Sequence, residues 1–205
     1  LSLPERNVED LWNLYSNLLL STSENNSENI QKLLDQQGQR IIECTYTQKI
    51  SEPFCGIGGL VEYSIKLART AKKLAETFQY NVSHAAVIKC ALLSEIGRIG
   101  NLNQDRLKIS DSEWHKEKLG QYYNWNEDCD KYSVNHMTLF YMSYYNIRFT
   151  WEEYQSLILL NSENSDVSDF YGNFKSDIST ILLISKEMVL KKEKQKIDGT
   201  HSIPF

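Results

Sequence analysis

A chain of 205 residues with 41% hydrophobic and 24% charged residues suits one globular domain, or one domain with a small appendage, and excludes a disordered protein. Its net charge of −5 argues against coating nucleic acid through bulk electrostatics. No apolar run approaches the roughly 20 residues of a membrane span, and no basic segment followed by an apolar stretch marks a secretory leader. The widely spaced Cys44, Cys55, Cys90 and Cys129 contain no C-x-x-C pair and are therefore expected as free thiols in a reducing compartment.

Apolar residues recur at helical spacing along almost the whole chain. Val8, Leu11, Trp12, Tyr15, Leu18 and Leu19 define a first helix, with Pro4 suited to its first turn. Ser27 is expected to cap a second helix with Ile30, Leu33, Leu34, Ile41 and Cys44 on one face, and Gly38 is a candidate early stop. The strand-like texture is confined to residues 39–50. A loop holding Pro53, Gly56, Gly58 and Gly59 leads into the most strongly patterned helix. There Leu60, Leu67, Ala71, Leu74 and Phe78 form an apolar row widened by Val61, Ile65, Ala68 and Ala75, with Lys66, Arg69, Lys72 and Lys73 opposite.

Ser83 is placed to cap a buried helix over residues 85–96, ended by Gly97 and Gly100. Residues 101–131 are polar, aromatic and irregular. A helix follows over 134–145, and Thr150-Trp151-Glu152-Glu153 is a capping-box sequence opening another that runs to Leu160. After the turn-rich residues 161–175, Asp177 is expected to cap a last long helix with Ile178, Ile181, Leu182, Ser185, Met188 and Val189 inward. The expected fold is therefore an all-α helical bundle. Its divisions are an N-terminal helical segment at 1–38, the main domain at 39–195 and a tail at 196–205.

Several segments carry a resemblance in order and spacing. They are Gly58-Gly59-Leu60-Val61-Glu62-Tyr63, the run from Ala91-Leu92-Leu93-Ser94-Glu95 through Gly97-Arg98-Ile99-Gly100, and the loop Ser112-Glu113-Trp114-His115-Lys116 through Tyr122-Tyr123. Asn124 and Asn126 follow that loop, and Trp151-Glu152-Glu153-Tyr154 through Tyr171 and Ser185-Lys186-Glu187-Met188, with Glu193 beyond, complete the series. Over residues 40–193 the chain resembles the HD superfamily of metal-dependent phosphohydrolases, in a branch found in tailed bacteriophages and cyanophages. The resemblance implies a divalent metal held by an early His, a His-Asp doublet and a late Asp, acting as Lewis acid and water activator.

At the matching positions this chain carries Tyr63, Ser94, Glu95 and Lys186, with Leu160-Asn161 where the branch often has His-Asp. A phenol is a poor ligand at neutral pH, a serine offers a neutral hydroxyl, and a lysine repels a cation. Only Glu95 remains a ligand by type. The expectation is a catalytically inactive HD-fold protein, without cofactor, acting as a binding, regulatory or structural interaction module. By analogy its partner is a viral or host protein, in the host cytoplasm or the virion.

Lys186 is expected either to pair with Glu95 across the old metal site or to extend to solvent. Arg98, where the family has lysine, is a candidate for anion binding together with Lys186, or for an intramolecular pairing. Trp114, His115, Tyr122, Tyr123 and Trp125 form a candidate interaction surface, with ordinary core packing as the competing role. Among the histidines, His115 is expected to order its loop through a hydrogen bond.

Two other readings stay open. One is a divergent phosphohydrolase in which Glu95, Asp111, Glu113 or His115 recruits a displaced divalent metal for a nucleotide or phosphoester. The other is a nucleic-acid-associated adaptor using the Lys66, Arg69, Lys72 and Lys73 face. The Lys191, Lys192, Lys194 and Lys196 cluster is read as a solvated helix end.

Overall fold

The computed structural model describes residues 3–161 and 175–199. Helix α1 (Val8–Ser21) begins where the Asn7 side chain accepts the Asp10 amide, so Pro4 lies ahead of the helix rather than in its first turn. Helix α2 (Ser27–Glu43) starts after Asn26, and Ser27 is its first residue rather than its cap. It continues through Gly38, because the Trp12 ring stands 3.0 Å from where a Cβ would sit. The glycine there permits close helix packing and stops nothing. The 38/39 division thus falls inside a continuous helix. The strand texture expected over 39–50 becomes the last turn of α2 and a loop, since buried Ile41 continues the row of Ile30, Leu33 and Leu34. Within that loop Thr47 bridges Cys55 and Lys49 bridges Gln121.

Helix α3 (Gly59–Thr77) is the centre of the core and buries both its apolar row and the flanking Val61, Ile65, Ala68 and Ala75. A Cβ at Gly59 would lie 2.0 Å from the Phe54 carbonyl oxygen, so the preceding loop folds onto the helix start only around glycine. Phe78 does not extend the row; it is 68% exposed just past the helix. Helix α4 (His84–Leu93), capped by Ser83 through the Ala86 amide, ends earlier than expected. Ser94 and Glu95 then lead into a 3₁₀ turn, Ile96–Ile99.

Residues 101–131 are more ordered than their composition implied. Strands β1 (Leu107–Ile109) and β2 (Tyr123–Trp125) pair antiparallel, Leu107 opposite Trp125, and enclose helix α5 (Glu113–Leu119). Three-residue strands are too short to show alternation in a sequence. Helix α6 (Val134–Tyr144) packs on the 3₁₀ turn so closely that a Cβ at Gly97 would meet the Val134 carbonyl at 2.3 Å.

Thr150 and Glu153 form the expected capping box of α7 (Trp151–Leu159). The last helix, α8 (Asp177–Ile197), is capped by Ser176 rather than Asp177. It buries Ile178, Ile181, Leu182, Ser185 and Val189, while Met188 is 50% exposed. Most of the turn-rich residues 161–175, with Tyr171, and the tail beyond 199 lie outside the described residues. Among the described residues, eight α-helices against one two-stranded sheet make the architecture all-α. No helix there is long and apolar enough to cross a membrane.

Candidate functional site

The end of α4 and the start of α3 bring Glu95 and Tyr63 into one buried centre. Glu95 is fully buried, and its Oε2 accepts a 2.7 Å hydrogen bond from Arg98 Nε. The other carboxylate oxygen faces the Tyr46 hydroxyl at 3.5 Å, the limit of hydrogen-bonding range. The Arg98 guanidinium lies 4.0 Å from the centre of the Tyr46 ring and donates to the Tyr46 carbonyl at 3.3 Å. Tyr46 stacks on Tyr63 with centroids 4.0 Å apart, and Phe54 meets both rings edge-on. A guanidinium, two phenols and a phenyl ring thus fill the interior beside a single carboxylate.

The electrostatics follow from that packing. Burial works against the Arg98 charge, but Glu95 more than offsets it, and the guanidinium is held above its ordinary pKa. Burial, reinforced by the Glu95 charge, pushes the Tyr63 phenol well above its ordinary value. Its hydroxyl is buried and makes no hydrogen bond in the described structure. Ser94 directs its hydroxyl back to the Ala91 carbonyl at 3.1 Å, while its own carbonyl accepts from Thr138.

The second half of the expected site lies elsewhere. Lys186 Nζ donates to the Leu160 carbonyl at 2.8 Å and to Asn161 Oδ1 at 3.3 Å, placing a cation at the C-terminus of α7 where helix carbonyls favour it. The expected Glu95–Lys186 ion pair is therefore replaced by Glu95–Arg98. Local reach decides it: Arg98 follows Glu95 by three residues on the 3₁₀ turn, whereas Lys186 is held by the α7 end. Extension of Lys186 to solvent is also excluded, since the residue is buried. Arg98 and Lys186 accordingly do not form one anion pocket.

Two residues that sequence reasoning passed over organise the surroundings. Arg40 donates to Ile99 and Asn101 carbonyls at 2.9 and 2.8 Å and pairs with Asp105 at 2.7 Å, pinning the segment after the 3₁₀ turn onto α2. Arg106 stacks over Trp125 at 5.0 Å, and burial together with the Arg98 charge lowers its pKa. The cavity these arginines share with Cys44 and Tyr123 is only about 40 Å³, room for water rather than a nucleotide. A basic residue in the last turn of a helix, or in a loop of mixed composition, gave no signal for either role.

The proposed interaction surface is divided. Trp114 is 59% exposed on α5 and packs edge-on against His115, while Tyr122 and Trp125 are half-buried. Tyr123 is buried in β2 and belongs to the interior, which corrects its assignment to the surface. His115 orders its loop through its backbone carbonyl, which accepts from Gln121, rather than through its imidazole.

Among the described residues no three His, Cys, Asp or Glu side chains form a metal-binding group. Glu95, the one donor retained by type, is occupied by a guanidinium, so this interior does not fit the metal of the HD chemistry. Three of the thiols are held protonated rather than activated: burial pushes Cys44 and Cys90 up to about 12 and Cys55 to about 11. Comparison with protein-family models, curated proteins and solved structures gives no match to this chain.

Proposed function

We propose that this chain is a degenerate HD-fold protein that has lost phosphohydrolase chemistry and acts as a binding or regulatory module for another protein. The family reading rests on the ordered segments from Gly58-Gly59 to Lys186. The loss of chemistry rests on one observation, the buried Glu95 carboxylate bonded to Arg98 at 2.7 Å. A cation inside the bundle neutralises that carboxylate and takes up the electrostatic part a metal would play, but it offers no open coordination position for a water. The fold survives such an exchange because it needs the interior filled and its charge balanced, whichever cation does so.

The test is made on purified wild-type protein. Elemental analysis is combined with hydrolysis assays on nucleoside triphosphates and p-nitrophenyl phosphate in manganese and in magnesium. The expected outcome is substoichiometric metal and no turnover above a protein-free blank. Metal near one per chain with metal-dependent turnover overturns the reading in favour of a divergent phosphohydrolase.

A further inference from the structure

The two basic stretches, 125 residues or so apart in sequence between Lys66 and Lys191, meet in the folded chain. Lys66, Arg69 and Lys73 project from successive turns of α3, and Lys192 and Lys196 from α8, along the two walls of an open groove of about 540 Å³. Among the described residues Glu193 is the only carboxylate lining it, and Lys66 at 3.0 Å and Lys196 at 2.6 Å already hold it. Arg69, Lys73 and Lys192 have no ion-pair partner among the described residues. Between the walls lie Leu74 and Val189, both buried, while Phe78 and Met188 stand 68% and 50% exposed. The lining of α3 runs from Lys66 to Phe78, about 18 Å at the rise of an α-helix.

We propose that this groove docks an acidic amphipathic helix from a partner protein. The inference deepens the binding-module reading and rests on it. A short apolar floor, about one turn from Leu74 to Phe78 and faced by Met188 and Val189, accepts apolar anchors from one face of a visiting helix. The cationic walls select carboxylates on its flanks, and in a chain of net charge −5 that local excess is the complement of an acidic segment. A nucleic-acid strand would use the cations but would leave the aliphatic floor unmatched. Among the described residues its bases would find Phe78 as the one aromatic platform in the lining.

The probe is a fluorescein-labelled synthetic peptide about four helical turns long, with leucines on one face and glutamates elsewhere. It is compared with a scrambled peptide of equal composition and with labelled oligothymidylate. Anisotropy should show saturable binding of the amphipathic peptide, weakened by salt and absent for the scrambled one. Arg69→Glu with Lys73→Glu should weaken binding at least about tenfold through like-charge repulsion. Phe78→Ser should also weaken it, with circular dichroism of each variant unchanged. No preference for the amphipathic over the scrambled peptide, indifference to charge reversal, or tighter binding of oligothymidylate at these residues overturns the proposal. Failure here leaves the metal and turnover results untouched, whereas metal-dependent turnover removes the lost-chemistry reading without bearing on the groove.

Discussion

Glu95 and Arg98 are chemically unremarkable neighbours three residues apart until burial raises the cost of separating them. Removing one partner of a buried pair leaves an uncompensated charge, typically costing about 3–5 kcal/mol. Here the two sides differ, because the Glu95 side chain is fully buried and that of Arg98 is 20% accessible. Arg98→Met, which strands the carboxylate, should therefore destabilise more than Glu95→Gln, whose arginine retains some water. The Glu95→Gln, Arg98→Met double variant should recover a substantial part of the larger loss. Urea unfolding of the four proteins measures the coupling directly, and strictly additive losses would show that the pair carries no shared energy. Phe54 illustrates a complementary trade: its backbone φ of 62° is costly for a side-chain-bearing residue, while its buried ring closes the aromatic cluster around Tyr63.

Between elements, Glu153 serves two structures at once. Its Oε2 accepts the Thr150 amide in the capping box, and its Oε1 bonds Lys89 on α4 at 2.7 Å with both side chains nearly buried. Lys89 also sits 4.8 Å from the centre of the Phe149 ring. Thr150→Ala removes one cap and should cost about 1 kcal/mol. Glu153→Ala removes the cap partner and strands the Lys89 ammonium, so its cost should approach 3–5 kcal/mol. Chemical denaturation of the two variants checks the ranking. Caps were readable from sequence where one polar residue stood alone at a helix start, as at Ser83 and Thr150. At Asn26-Ser27 and Ser176-Asp177 two candidates adjoin, and the backbone angles of the folded chain choose the first of each.

Across the whole molecule, a chain of ion pairs joins the residues before α1 to α3 and α8. Arg6 bonds Glu62 at 2.6 Å, Glu62 bonds Lys66 at 2.6 Å, and Lys66 and Lys196 share Glu193. Burial alone would raise the Glu62 pKa, but Lys66 and Arg6 more than offset it and hold the carboxyl below its ordinary 4.5; Glu193 is likewise lowered by Lys196 and Lys66. A carboxylate depressed in the folded state stabilises above its unfolded value, and that stability is lost as pH falls through the folded one. Thermal midpoints should therefore hold steady from neutrality to near pH 5 and decline below 4.5. Glu62→Gln should flatten that acid slope, and a slope identical to wild type would remove Glu62 from the account.

The helical period, the α3 core row and the two isolated caps were legible because each is a local pattern that burial on one face enforces. Other features were not local. Gly38 reads as a stop until Trp12 packs over it, and Phe78 reads as core until the helix ends beneath it. By itself the sequence determined that the chain is helical, and it suggested, through the proposed HD resemblance, that Tyr63, Ser94, Glu95 and Lys186 mark one site. Only tertiary structure decided that Glu95 pairs with Arg98, that Lys186 closes α7, and that two lysine-rich stretches border one groove. Charges choose partners by distance across the fold, and helical spacing constrains that distance only within a single element.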